Sequence, residues 1–273
     1  IVVRPMAPIR FGTDTESHIT HRRGGSAANV AAVAAGLGAP VRFIGQVGDD
    51  RAGRRLVAEL GEAGVDVSHV RFAGTTGTIV VLVDAAGERT MLTDRRTCLG
   101  LAGVDPAALD GVSTLHVPLY GIAAEPLAST VAAAVAHAHD RGARVSVDLS
   151  SVALLDGLGR RAVEGWLARL DPHVVFANDD EAPWLVLAPS RATTVAKHGA
   201  DPAIVSEPGR APVPVPAVGL EAPGDTTGAG DAFAAGFLVA GVDAAPADAC
   251  RAAHRVAADH LRRLTVDDQL RPR

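Results

Sequence analysis

Asp225-Thr226-Thr227-Gly228-Ala229-Gly230-Asp231, running straight into Ala232-Phe233-Ala234-Ala235-Gly236-Phe237-Leu238, is the stretch from which the rest of this 273-residue chain is read. A glycine-rich turn opens an almost wholly apolar helix, and acids bracket the turn. Glycines let backbone N–H groups approach a ligand with no Cβ in the way. A helix N-terminus adds unpaired donors and a partial positive charge, which suits a phosphate. Asp231 places a carboxylate at the same spot. Anion-binding amides beside a proton acceptor point to phosphoryl chemistry. An N-capping Asp at the start of a buried helix is the structural alternative.

Composition narrows the class. Hydrophobic residues make up 48% and aromatics only 3%, so the core is expected to be Ala, Val and Leu. The net charge is −5 with no basic block, so nucleic acid is not an expected partner. No signal peptide or 18-residue apolar run is visible, which points away from a membrane and to the cytoplasm. Cys98 and Cys250 lack metal-ligand spacing and read as buried free thiols.

Working outward, Gly24-Gly25-Ser26-Ala27-Ala28-Asn29 leads into a small-residue helix through Leu37, with Ser26 as candidate N-cap. Val41–Gly45 reads as a strand, and a helix follows from about Arg51 to Ala63. Between Val65 and Thr93 the period is two, with Asp84-Ala85-Ala86-Gly87-Glu88 as a hairpin loop. Strands and helices then alternate. Thr114–Val117, Arg144–Asp148, His173–Ala177, Thr193–Ala196, Ala203–Glu207 and Val213–Val218 are expected strands. Helices are expected over Glu125–Asp140, Arg160–Leu170, Asp179–Leu187, Asp231–Ala240 and roughly Pro246–Leu264. That alternation argues for a mostly parallel sheet covered on both faces. The period-two segments near 16–23 and 65–93 do not fit between such layers and read as a small β appendage.

Two signatures give the chain a resemblance to the ribokinase, or phosphofructokinase-B (PfkB), family of carbohydrate kinases. Gly24-Gly25-Ser26-Ala27-Ala28-Asn29-Val30-Ala31 through Val47-Gly48-Asp49-Asp50 resembles the first. Asp225 to Phe233 matches the second. Asn178-Asp179-Asp180-Glu181 resembles the family's Asn-x-x-Glu motif. The resemblance implies one kinase domain over 1–273, with a three-layer α/β/α Rossmann-like core and a β-sheet lid formed by about 10–24 and 67–95. It implies transfer of the γ-phosphoryl of MgATP to a primary hydroxyl of a sugar or sugar acid. A nucleoside kinase of adenosine or pseudouridine type is the alternative within the family. A sugar-binding homologue without turnover is the alternative outside enzymes.

By position, the resemblance makes Asp231 the catalytic base and Gly228, Ala229 and Gly230 the anion hole. Gly24, Gly25 and Asn29 would face the sugar. Lys197, Gly199, Thr226, Gly228 and Gly230 would contact the nucleotide. Asn178 and Glu181 would hold Mg²⁺ through water, and Asp225 with the Thr227 carbonyl would bind a monovalent cation such as K⁺. The exposed lid edge suggests a homodimer. Asp148 is a further candidate at the ligand-binding end of a strand. The chain also departs from the family pattern. From Ile1 onward it has no counterpart of the Gly-Asp strand, so a shortened central sheet is expected. Ser26 stands where ribokinases proper carry Lys. Leu264-Thr265-Val266-Asp267 stands where a Gly-Ala loop would complete the cation site.

Overall fold

A computed structural model describes residues 1–84, 89–220, 226–241 and 244–269. Its centre is a six-stranded sheet of β7 (Thr114–Pro118), β8 (Arg144–Asp148), β9 (Val174–Ala177), β10 (Thr193–Ala196), β11 (Ala203–Ser206) and β12 (Val213–Val215), in that spatial order. The first four strands run parallel, and β11 and β12 are antiparallel additions. Parallel strands need crossover helices, so both faces are covered. The period of two divides the side chains accordingly. Val145, Val147, Val175 and Ala177 face α3 (Leu127–Asp140), α4 (Val152–Leu158) and α5 (Arg160–Leu170). Val174, Phe176, Val195 and Val205 face α1 (Ser26–Gly36), α6 (Ala229–Ala240) and α7 (Pro246–Gln269). Three layers result, and Phe176 is the largest fully buried side chain.

A second sheet has the order β2 (Ser17–Thr20), β1 (Val2–Pro5), β5 (Thr78–Val83), β6 (Arg89–Asp94). Its strand pairs fix its two faces. Val2 stands beside Val81, with Val83 on the same side, and these three are buried together. Ile19, Val3 and Leu82 line up across the other side, with Val80 opposite Leu92. Ile19 and Leu92 are 59% and 56% exposed, so this face lacks a covering layer.

Several elements differ from the sequence reading. The strand expected over Val41–Gly45 is only a single bridge from Arg42 to Asp66, and the strand proper is β3 (Gly45–Val47). The Arg42 side chain reinforces that bridge by donating to Asp66 at 3.0 Å, and it also donates to the Ala108 carbonyl at 2.7 Å. β3 pairs with β4 (Val70–Phe72), so that strand lies apart from the four-stranded sheet. The helix expected over Asp179–Leu187 is a 3₁₀ helix over Ala182–Leu187, because Asn178 and Glu181 tie the preceding turn. α4 is an additional helix between β8 and α5; Ser151 caps it by accepting from the Leu154 N–H at 3.4 Å. α2 (Arg51–Glu62) is capped by Asp50, which accepts from the Gly53 N–H at 2.8 Å. Cys250 is buried as expected, but Cys98, in the turn after β6, is exposed. Most of the expected 84–88 hairpin loop lies outside the described residues.

Candidate active site

The site gathers at the carboxyl ends of β8, β9 and β10, where α1 and α6 meet. α6 begins after Gly228, whose φ of 79° is a left-handed conformation that favours glycine. Asp231 is the third residue of α6, not its N-cap, so the capping alternative does not apply. Its carboxylate is gripped from α1. Ser26 Oγ donates to Oδ1 at 2.7 Å and Asn29 Nδ2 donates to Oδ2 at 2.8 Å, across more than 200 residues of sequence. Ser26 therefore does not cap its own helix. The cap is Gly25, at φ 94°, and that glycine-only geometry frees the Ser26 hydroxyl for Asp231. Gly24 is exposed, and a methyl group on it would meet nothing within 4 Å.

The charge of Asp231 is contested. Burial raises its pKa, and the nearby Asp148 raises it further. The Asn29 and Ser26 hydrogen bonds and the Lys197 charge pull the other way. Burial prevails, so the carboxylate holds a proton more readily than an exposed Asp.

Lys197 follows β10. Its Nζ lies 2.7 Å from Asp148 Oδ2, with side chains 13% and 10% exposed. A methyl group placed on Gly230 would stand 3.4 Å from that Nζ. The ammonium therefore sits beside the glycine turn. Asp148 is oriented by the Ser150 N–H, which donates to Oδ1 at 2.9 Å. Beneath them His116 bonds Ser146 Oγ through Nδ1 at 2.9 Å. Burial lowers its pKa to about 4, with Lys197 helping and Asp148 opposing, so it is neutral.

Asn178 and Glu181 form a reciprocal clasp. Glu181 accepts from the Asn178 N–H and Nδ2, both at 3.0 Å, and the Glu181 N–H donates to Asn178 Oδ1 at 2.9 Å. Glu181 is only 2% exposed. Burial, reinforced by Asp148, raises its pKa to about 7 against the Asn178 hydrogen bond and Lys197. The clasp occupies both carboxylate oxygens, which fits a hydrated cation better than direct ligation. Among the described residues no group of three or more His, Cys, Asp or Glu is arranged to hold a metal ion directly.

The turn before α6 is held from two sides. Arg89 of β6 donates to Thr227 Oγ1 at 3.0 Å, which brings the second sheet onto the turn. His260 of α7 bonds the Thr227 carbonyl at 3.0 Å. The Ala229 N–H is tied back to the Thr226 carbonyl at 3.2 Å, so it is occupied within the turn itself. Thr226 is exposed, Gly199 lies in a turn at φ 58°, and Asp225 is outside the described residues. Ser26 as a partner of Asp231, Arg89 and His260 escaped the sequence reading. Only the Lys-to-Ser departure at position 26 offered a signal, because the other two contacts join distant elements.

Comparison with known proteins gives these contacts a context. The model of the pfkB family of carbohydrate kinases matches residues 9–263. An ATP-dependent ribose-1-phosphate kinase of Halopiger xanaduensis is 35% identical, over 82% of this chain and 76% of its own. A fructokinase of Klebsiella pneumoniae is 33% identical, over 82% and 78%. An E. coli protein described as a ribokinase II, solved with ATP and Mg²⁺, superposes with a TM-score of 0.79 at 20% identity, covering 94% of this chain and 88% of that one.

Proposed function

The chain belongs to the pfkB family of carbohydrate kinases, and we propose that it transfers the γ-phosphoryl group of ATP to a primary hydroxyl of a sugar or sugar derivative, with Asp231 as general base. The observation that carries this reading is the grip of Ser26 and Asn29 on Asp231. It sets a proton acceptor between the diglycine that precedes α1 and the glycine turn that precedes α6. The acceptor hydroxyl gives its proton to Asp231 as its oxygen bonds to the γ-phosphorus, and the bond to the ADP oxygen breaks. Little covalent work falls to the protein, so positioning and charge stabilisation supply the rate.

In this reading, the Gly228 and Gly230 amides and Lys197 stabilise the charge on the transferring group. Lys197 leaves Asp148 for the phosphoryl oxygens when nucleotide binds. The exposed Thr226 and Gly199 stand at the nucleotide side, and Gly24, Gly25 and Asn29 at the acceptor side. Mg²⁺, which neutralises nucleotide phosphate charge, would be held through water by Asn178 and Glu181. The four-stranded sheet acts as the lid, with Arg89 as its contact to the phosphoryl turn. Its uncovered face, bearing Ile19, Val3, Leu82, Val80 and Leu92, supports a homodimer through the lid. Among the described residues no helix is long and apolar enough to cross a membrane.

The decisive experiment follows ADP release with MgATP over a panel of ribose 1-phosphate, fructose, other sugars, sugar acids and nucleosides. At least one acceptor should turn over. Asp231→Asn should lose roughly 10²–10⁴ in kcat, the worth of a placed general base. Retention of near-wild-type turnover by that variant would remove Asp231 from the role. Binding of an acceptor without any turnover would favour the non-catalytic sugar-binding homologue.

A further inference from the structure

The Thr227 carbonyl is the oxygen that the resemblance would give to a monovalent cation. Two independent features of this chain argue against a cation there. The first is His260. A carbonyl oxygen only accepts, so the 3.0 Å contact requires a proton on Nε2. The edge of the same ring also stands close to the next residue: a methyl group on Gly228 would lie 3.0 Å from Nε2 and 3.6 Å from Cε1. The imidazole thus fills the space that flanks the turn.

The second feature is α7. It runs without a break from Pro246 to Gln269. Leu264-Thr265-Val266-Asp267 therefore lies in a helix and not in a loop. A protein cage for K⁺ is built from carbonyl oxygens turned toward the ion in place of its water. In a helix, carbonyls point along the axis toward N–H groups one turn on. The segment that would have to complete the cage does not turn its carbonyls that way.

We propose that the His260 imidazole, rather than a monovalent cation, holds the anion-hole turn in its working geometry. This rests on the kinase reading above. The physical link is the peptide plane. The Thr227 carbonyl and the Gly228 N–H belong to one planar unit and point in opposite directions. Fixing the oxygen with a donor aims the Gly228 N–H the other way, and polarising the carbonyl strengthens that N–H as a donor. His260 is then a positioning residue that acts through Gly228 on the transferred phosphoryl group, and the site needs no K⁺.

The test compares KCl with choline chloride at equal ionic strength, using the whole chain. Wild-type kcat and the melting midpoint of the ligand-free protein should not distinguish the two salts. His260→Leu should lower kcat roughly threefold to tenfold, the scale of one hydrogen bond, with acceptor KM unchanged and no rescue by KCl. His260→Gln keeps an N–H donor at similar reach and should recover most of the lost kcat. Activation of the wild type by K⁺, a K⁺-specific rise in its midpoint, rescue of His260→Leu by KCl, or wild-type kcat in a folded His260→Leu would each overturn the proposal. If His260→Leu fails to fold, the ion dependence of the wild type decides alone. If no acceptor is turned over, the kinase reading fails by itself, while the melting comparison still judges the cation.

Discussion

Asp231 is asked to be ionised enough to accept a proton and basic enough to want one. Burial raises its pKa, and two hydrogen bonds from α1 restrain that rise. Removing one restraint has a definite sign. Ser26 Oγ–H stabilises the ionised carboxylate, so Ser26→Ala raises the pKa of the base further. The acidic limb of kcat/KM should therefore move to higher pH in Ser26→Ala, with activity at a pH above both limbs reduced far less. Ser26→Thr, which keeps the hydroxyl, should leave the limb near its wild-type position. A pH–rate profile of the three proteins checks this, and coincident limbs for wild type and Ser26→Ala would count against the contact. Ser26 also illustrates what residue type alone conveys. A serine before a helical run reads as a cap, and the competing use is visible only once Asp231 lies beside it.

Helices α6 and α7 are packed so closely that their contact depends on a missing side chain. A methyl group on Gly236 would fall 2.9 Å from Val256 Cβ and Cγ2 and 3.0 Å from Ala253 Cα. Two effects oppose one another in Gly236→Ala. Helix propensity favours alanine by about 1 kcal/mol. Overpacking a well-packed contact costs about 1–3 kcal/mol, and here a backbone atom is among those struck. The steric cost should win, giving a net loss of stability seen as a lower urea midpoint with an unchanged slope. The consequence would reach the site, since α6 carries Asp231 and α7 carries His260. Elements of this kind were legible in the sequence. The apolar runs of α6 and of β8 to β10 announce burial through their composition. Val41–Gly45 was not, because its backbone pairing stops at the single bridge from Arg42 to Asp66, and the Arg42 side chain is bound to carbonyls more than 60 residues away.

For the whole molecule, the four-stranded sheet has one face turned inward and one left uncovered. Val2, Val81 and Val83 are buried on the side from which Arg89, paired with Val83, reaches Thr227. Leu92 and Ile19 stand exposed on the other. If two lids meet there, Leu92→Glu places a charge in the apolar contact and should shift sedimentation from dimer toward monomer. A wild-type chain that sediments as a monomer at every concentration would dismiss the dimer.

The layered α/β fold, the family and the two signatures are legible along the chain alone. Period, glycine placement and the acid at the head of an apolar helix are local properties, set by backbone sterics and by burial of side chains along one element. How the acids and their partners are shared out emerges when the elements pack. Ser26 and Asn29 go to Asp231, Lys197 goes to Asp148, Glu181 folds back on Asn178, and His260 takes the Thr227 carbonyl. Most of these contacts join distant segments. A hydrogen bond depends on distance and angle in space, and spacing along the chain does not encode either.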